Sequence, residues 1–463
     1  MIKFNFFRNL FFILFTIPGF TQLSTNECME NLSIFAESAK IKNYQAAYEP
    51  WKLVIDNCPK LNLATYQFGE RILKDFIQKS TNDNDKAKYL NELLEMYDSW
   101  AINFPERKGV NQIGKIYSSK GQAMLDNGIE DKSLIYDTFD YAFSNDSSSF
   151  TNPKSLAYYF ITGYELYKTG TKIELEDLFE KYEELTEKFQ FLKTNIAKNL
   201  DVILTKEESG TALTSSESRN KRIYNTNSNA VGSYLQLLDQ TIAKEATCDI
   251  LIPLYSKNFE ENKNNSIWIR RAAGRLDGKD CSDDPLFVTL VEQLHNLEPS
   301  ADSAYYLGIL NDKQGNVDEA LKYYQESVAL ETDNYRKANI LYKIAVKFRN
   351  AGRRVSARDY AEQALSFQPS LGRAYLLISN LYADSANGCG DTQFNKRAVF
   401  WLAAQTAQKA GRVDASLKRL SDRTAAAFNG RAPTKTDIFT EGNQGTTIRF
   451  SCWINRSVRV PSL

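Results

Sequence analysis

The chain has 463 residues, and its 57 lysines and arginines balance 57 aspartates and glutamates. That balance supplies no basic face for nucleic acid and no electrostatic pull toward a membrane surface. A single histidine, His295, excludes multi-histidine metal sites and makes histidine acid–base catalysis a poor basis for function.

The first residues read as a secretory signal. Lys3 and Arg8 form a charged start, Leu10–Ile17 is a largely apolar run, and Pro18-Gly19 ends it. That run is too short to span roughly 30 Å of hydrocarbon as a helix, so a cleaved signal over residues 1–21 is expected, with cleavage near Thr21-Gln22. No other segment approaches membrane length, and the mature chain is expected to be exported and soluble. The six cysteines, Cys28, Cys58, Cys248, Cys281, Cys389 and Cys452, form no CxxC pair. An even number in an exported chain favours disulfides over zinc or redox motifs.

From Cys28 onward the spacing is helical. Lys42–Trp51 reads as the start of a hairpin's second helix, with Tyr44, Ala47, Trp51, Val54 and Pro59 at regular intervals. Residues 61–201 keep helical periodicity, as in Tyr89, Leu93, Leu94, Tyr97 and Trp100. Ile173–Leu204 reads as one or two long charged helices, in which Glu174/Asp177 and Glu183/Glu184 are expected on a solvated face. Residues 207–231, rich in Ser, Thr and Asn, read as a flexible linker. Helices resume at Tyr234, then at Ile250–Phe259, Ile267–Leu276 and Pro285–Leu297. His295 sits in the last of these as an ordinary helix residue. In Asp280-Cys281-Ser282-Asp283-Asp284, Ser282 or Asp283 is expected to cap the following helix rather than hold a metal.

Residues 301–371 contain one helical-hairpin pattern twice. Gly308, Gly315 and Ala320 recur as Ala345, Gly352 and Ala357, each 37 residues on. Small residues allow two antiparallel helices to approach closely, the glycines 315 and 352 sit in the turns, and Pro369 stops the second copy. Arg349, Arg353, Arg354 and Arg358 cluster nearby, but Asp359 and Glu362 make an ordinary mixed surface the expectation. Another hairpin follows at Arg373–Ala383 and Gln393–Ala410, joined by a looped insertion at Asn387–Gly390, and Val413–Phe428 caps the stack. Gly388-Cys389-Gly390 lacks the lysine and strand of a phosphate loop. The last 35 residues change period: Thr446–Ile454 alternates, Asn455-Arg456 offers a tight turn, and Ser457–Val460 returns as a β-hairpin.

The doubled pattern resembles the tetratricopeptide repeat, a helix–turn–helix unit of about 34 residues that buries its apolar face only by stacking on neighbours. Cys28…Lys42-Asn43-Tyr44…Cys58-Pro59, Asn387-Gly388-Cys389-Gly390 and Cys452-Trp453-Ile454 resemble exported tetratricopeptide proteins of Bacteroidota. The expected fold is therefore all-α: a tetratricopeptide-type helical-hairpin solenoid with a short C-terminal β-hairpin tail. Its parts would be an N-terminal helical region over 22–206, the linker, a C-terminal solenoid over 232–428 and the tail over 429–463. In repeat register the first helix of each hairpin lines a concave face. The resemblance thus implies a protein-binding groove of Asp302, Tyr305, Ile309, Lys313, Asn339, Tyr342, Val346, Arg349, Arg373, Leu376 and Asn380, with core packing of Tyr305 or Tyr342 as an equal alternative.

Cys28 and Cys58 fall at the open ends of one hairpin, and Cys248 and Cys281 lie about one repeat apart. Cys389–Cys452 is left largely by elimination, and would pin the tail. The resemblance transfers no catalytic residue and no cofactor. It implies a periplasmic or outer-membrane-associated scaffold, and the leading reading is a non-enzymatic subunit of an envelope assembly or secretion complex whose partners are proteins of the cell envelope. A carrier of a small molecule or glycan, bound between the two helical halves, is the alternative. A hydrolase hidden in the divergent middle is the remote third class.

Overall fold

The computed structural model describes residues 23–463, so the expected signal segment lies outside the described residues. Within them the chain divides at Ser155/Leu156 into two compact units.

The first unit is built from three hairpins. They are α1 (Thr25–Lys40) with α2 (Tyr44–Asn57), α3 (Ala64–Lys79) with α4 (Asp83–Asn103), and α5 (Ile113–Asp126) with α6 (Lys132–Asp146). Starts are written in the sequence: Ser24 and Glu27 exchange a capping box, and the side chains of Asn43, Asn82 and Asp131 each accept an N–H of the following turn. Apolar residues at helical spacing form one core around Phe35, Trp51, Tyr66, Leu93 and Tyr97. Trp51 is 1% exposed and keeps its indole N–H paired, donating to the Thr65 carbonyl at 2.8 Å. A two-residue antiparallel pair, β1 (Glu106–Arg107) and β2 (Val110–Asn111), joins α4 to α5. β-structure is therefore not confined to the tail, because Gly109 at φ 75° and Lys108 at φ 52° make a tight turn there.

The second unit opens with α7 (Pro153–Lys168), α8 (Leu175–Glu208), α9 (Ser215–Ile242) and α10 (Cys248–Asn262). Four hairpins follow: α11 (Ser266–Gly278) with α12 (Pro285–Leu297), α13 (Ala301–Lys313) with α14 (Val317–Leu330), α15 (Asn334–Asn350) with α16 (Arg354–Phe367), and α17 (Gly372–Ala383) with α18 (Gln393–Val413). The chain closes with α19 (Lys418–Asn429), α20 (Lys435–Glu441) and the antiparallel strands β3 (Thr447–Phe450) and β4 (Arg456–Arg459). The small residues act as expected. A Cβ on Gly308 would lie 2.5 Å from the Tyr324 ring, and Gly315 and Gly352 turn at φ 79° and 75°.

Three expectations need correction. Residues 207–231 are not a linker. Thr214 and Glu217 form a capping box that starts α9, and most of the Ser/Thr/Asn residues ride its exposed side while Ser228, Val231, Leu238 and Ile242 are buried. The N-terminal region does not extend to 206, since the first unit ends at Ser155 and α8 belongs to the second. In the tail the turn comes earlier than Asn455-Arg456: β3 ends at Phe450, and Asn455 at φ 43° leads into β4.

All six cysteines are paired, as Cys28–Cys58, Cys248–Cys281 and Cys389–Cys452. The last joins the tail to the 3-10 turn after α17. Arg358 of α16 completes the attachment by donating to the Trp453 and Ile454 carbonyls at 2.7 and 3.0 Å, with its guanidinium 5.3 Å from the Trp453 ring. Arg358 is thus a strap anchor rather than part of a mixed surface.

Candidate protein-binding face

The first helices α11, α13, α15 and α17 present one side of the repeat array, and α8 crosses it. At its near end, Glu183 takes a charge-assisted bond from Arg275, whose guanidinium also stacks 4.0 Å over the Tyr182 ring. One turn on, Glu187 accepts from Arg271 Nη2 at 2.9 Å and from Arg270 Nη2 at 3.2 Å. Five turns beyond Glu183, about 27 Å at the usual helical rise, the Asp201 carboxylate accepts from the Tyr335 hydroxyl and the Ser370 amide, both at 2.8 Å. Lys198 bonds Asp333 at 3.2 Å, Leu200 and Leu204 pack on Val413 and Tyr375, and Glu208 pairs with Lys409 at 3.1 Å. One stripe of α8 therefore touches α11, the start of α15, α17 and α18.

Charge and burial decide the character of this contact. Burial pushes the Glu183 carboxyl up against the pull of Arg275, and burial likewise raises Asp201 against its Tyr335 and Ser370 bonds. Glu183 is therefore not on a solvated face. Glu174 and Asp177, by contrast, form the capping box at the start of α8. The N-terminus of α9 is fastened to the end of α8 by Lys206–Glu217 at 2.8 Å. The Lys206 bond, then the Thr214 amide and hydroxyl, hold the Glu217 carboxyl down at about 2.

The groove residues named from repeat register separate into three groups. Tyr305 and Ile309, at 2% and 1% exposure, belong to the core, as does Leu376. Tyr305 thus takes the core alternative. Asn339, Tyr342 and Arg373 come together: Arg373 donates to the Asn339 side-chain carbonyl and lies 4.4 Å above the Tyr342 ring. The rest are dispersed. Asp302 sits between Arg270 and Arg336 at 3.7 and 3.9 Å, Lys313 reaches Asp283 at 2.5 Å, and Val346, Arg349 and Asn380 remain accessible. His295 makes one polar contact, Nδ1 to Ser303 Oγ at 3.2 Å. The cap of α12 is Asp284, which accepts from Leu286 N, rather than Ser282 or Asp283, because Pro285 takes the first helical position.

α8 is the partner that the repeat register missed. Its signal was a 34-residue helix with no hairpin grammar and with acidic groups four apart at Glu183 and Glu187. A cavity of about 390 Å³ lies where α8 meets α10 and α11, lined by Glu176, Phe179, Glu183, Tyr255, Trp268 and Arg271 among others. Among the described residues, no group of three or more His, Cys, Asp or Glu could hold a metal ion, and no helix is long and apolar enough to cross a membrane.

Stacked two-helix hairpins meeting through small residues define a helical-repeat protein. A Tetratricopeptide repeat family model matches residues 301–334, which are α13 and α14. The chain belongs to the tetratricopeptide repeat proteins. Over 112 residues, 22% of its length, it is 30% identical to the Photosystem I assembly protein Ycf3 of Cuscuta gronovii and covers 67% of that protein. Over 70 residues, 15% of its length, it is 39% identical to Ycf3 of Acaryochloris marina, covering 42%. It is also similar to the crystal structure of a tetratricopeptide repeat protein from Parabacteroides merdae, at 10% identity over 68% of this chain and 97% of that one. The TM-score of that overlap is 0.26, too loose to carry an argument.

Proposed function

We propose that the protein is an exported, non-enzymatic interaction scaffold of the cell envelope, acting as a subunit of an assembly or secretion complex. One observation carries the reading. The first-helix side of the array already holds α8 through matched ion pairs and a small apolar contact, so it is a surface suited to protein helices. The part of that side left accessible, around Val346, Arg349 and Asn380, is where a partner protein docks. The assembly role in the name of the Ycf3 relatives supports the scaffold class, and the leader-like start together with fully paired cysteines supports export.

Affinity capture from envelope extract tests the reading. Wild type is expected to retain discrete proteins in stoichiometric amount, and Tyr342→Ala plus Arg349→Ala to reduce that capture without loss of helicity. Unchanged capture by the folded double variant would reject the docking face, and no retained protein at all would reject the scaffold. The alternative of a small-molecule or glycan carrier is favoured by the aromatic-lined cavity beside α8, and would give saturable small-molecule binding with no protein captured.

A further inference from the structure

The cavity between α8, α10 and α11 has a buried floor, an aromatic wall and an acidic rim. Its volume, about 390 Å³, lies in the range of small-ligand pockets. Phe179, Tyr255 and Ala272 are buried at its base. Trp268 stands half-buried in the wall, its ring at 90° to that of Tyr255 with centroids 5.6 Å apart. The local sequence sets this up. Asn265 caps α11 by accepting from the Trp268 amide at 3.1 Å, which puts Trp268 in the first turn, and the Asn262 side chain donates to the Asn258 carbonyl at 3.0 Å where α10 ends.

The carboxylates around the cavity are not all answered. Glu183 is held by Arg275 and Glu184 by Lys181 at 2.9 Å, while Arg271 is taken by Glu187 at 2.9 Å. Glu176 and Glu180, four apart on one face of α8, line the same cavity at exposed positions, and neither has an ion pair among the described residues. The protein packed around Glu176 raises its carboxyl, followed by the charges of Asp177 and Glu261, against the pull of Lys257 and a bond from Asn258. Uncompensated carboxylates beside an aromatic ring act on the same kind of ligand, because both attract a positive charge. A neutral sugar would leave the two carboxylates idle, and an anion would be repelled by them.

We propose that this cavity binds a small organic cation, an ammonium compound with an apolar body. Its charge lies among Glu176, Glu180 and the Trp268 ring, and its body packs on Phe179, Leu254 and Tyr255. The site shares no residue with the accessible strip around Val346, Arg349 and Asn380. Failure of cation binding therefore leaves the protein-docking reading standing, and failed protein capture leaves this one.

Isothermal titration of the purified protein at constant ionic strength tests the site. The probes are benzylammonium and choline, each set against an uncharged counterpart, benzyl alcohol and 3,3-dimethylbutanol. At least one cation is expected to bind saturably and about tenfold tighter than its counterpart. Glu176→Gln combined with Glu180→Gln changes only exposed positions, so the fold is expected to survive while cation affinity falls about tenfold and the alcohol is unaffected. Trp268→Ala should also weaken the cation. Circular dichroism establishes that each variant is folded. Absence of saturable binding by both cations would overturn the proposal. So would equal affinity for cation and alcohol, or full cation affinity in the folded double glutamine variant.

Discussion

At the residue scale, Gly308 and Tyr324 show how one repeat grammar accepts different side chains. The first copy pairs a glycine with a buried tyrosine, and the second copy places Ala345 and Ala361 at the same register. The glycine leaves room for the tyrosine ring, and the second copy, with no ring at that place, accepts a methyl group on each helix. Gly308→Ala should therefore cost about 1–3 kcal/mol, because its Cβ meets the Tyr324 ring. Chemical denaturation measures this, and a neutral result would show that the ring has room to move. Arg275 is the second residue of consequence. Its side chain is 8% exposed and answers Glu183, so Arg275→Ala leaves a carboxylate enclosed without its partner. A loss of about 3–5 kcal/mol is expected, and a loss below about 1 kcal/mol would mean that water already serves Glu183. The small residues were legible because spacing alone exposes them. The role of Glu183 was not, since a lysine-interspersed helix looks the same in sequence whether its acidic stripe faces water or arginines 90 residues away.

At the element scale, most helices were readable from period and caps, and the misreadings have physical causes. The stretch 207–231 is poor in apolar residues, so its composition suggested a linker, but Thr214 and Glu217 supply a strong helix start and α8 supplies a surface to lean on. That start gives α9 a pH signature. The Glu217 carboxyl is held from 4.5 down to about 2 by Lys206 first and by Thr214 next. A depressed folded-state pKa contributes stability that is complete above pH 4.5 and is lost as pH falls toward about 2. Hydrogen exchange over the first turns of α9 should accelerate across that window, beyond the intrinsic pH dependence of exchange. Glu217→Gln should remove the extra acceleration while making the turn less protected at neutral pH. Identical protection in wild type and variant at neutral pH would contradict the assignment.

At the scale of the whole molecule, sequence supplied the class and the repeat unit, while the tertiary use of the repeat face came only from structure. Register points to the first helices, yet Tyr305 and Ile309 turn into the core because neighbouring hairpins bury them, and α8 ends at Glu208, well upstream of the array's first hairpin at Ser266. A single chain cannot announce such a long-range contact when its anchors are ordinary charged residues. The central claim is that the array's first-helix side is occupied in cis by α8, leaving a strip for partner proteins. Zero-length carbodiimide cross-linking with peptide mapping tests it most directly. Lys198–Asp333 and Lys409–Glu208, bonded at 3.2 and 3.1 Å, should cross-link in the monomer as readily as the local pair Lys418–Asp422 at 2.6 Å. Formation of the local link without either long-range one would contradict the account.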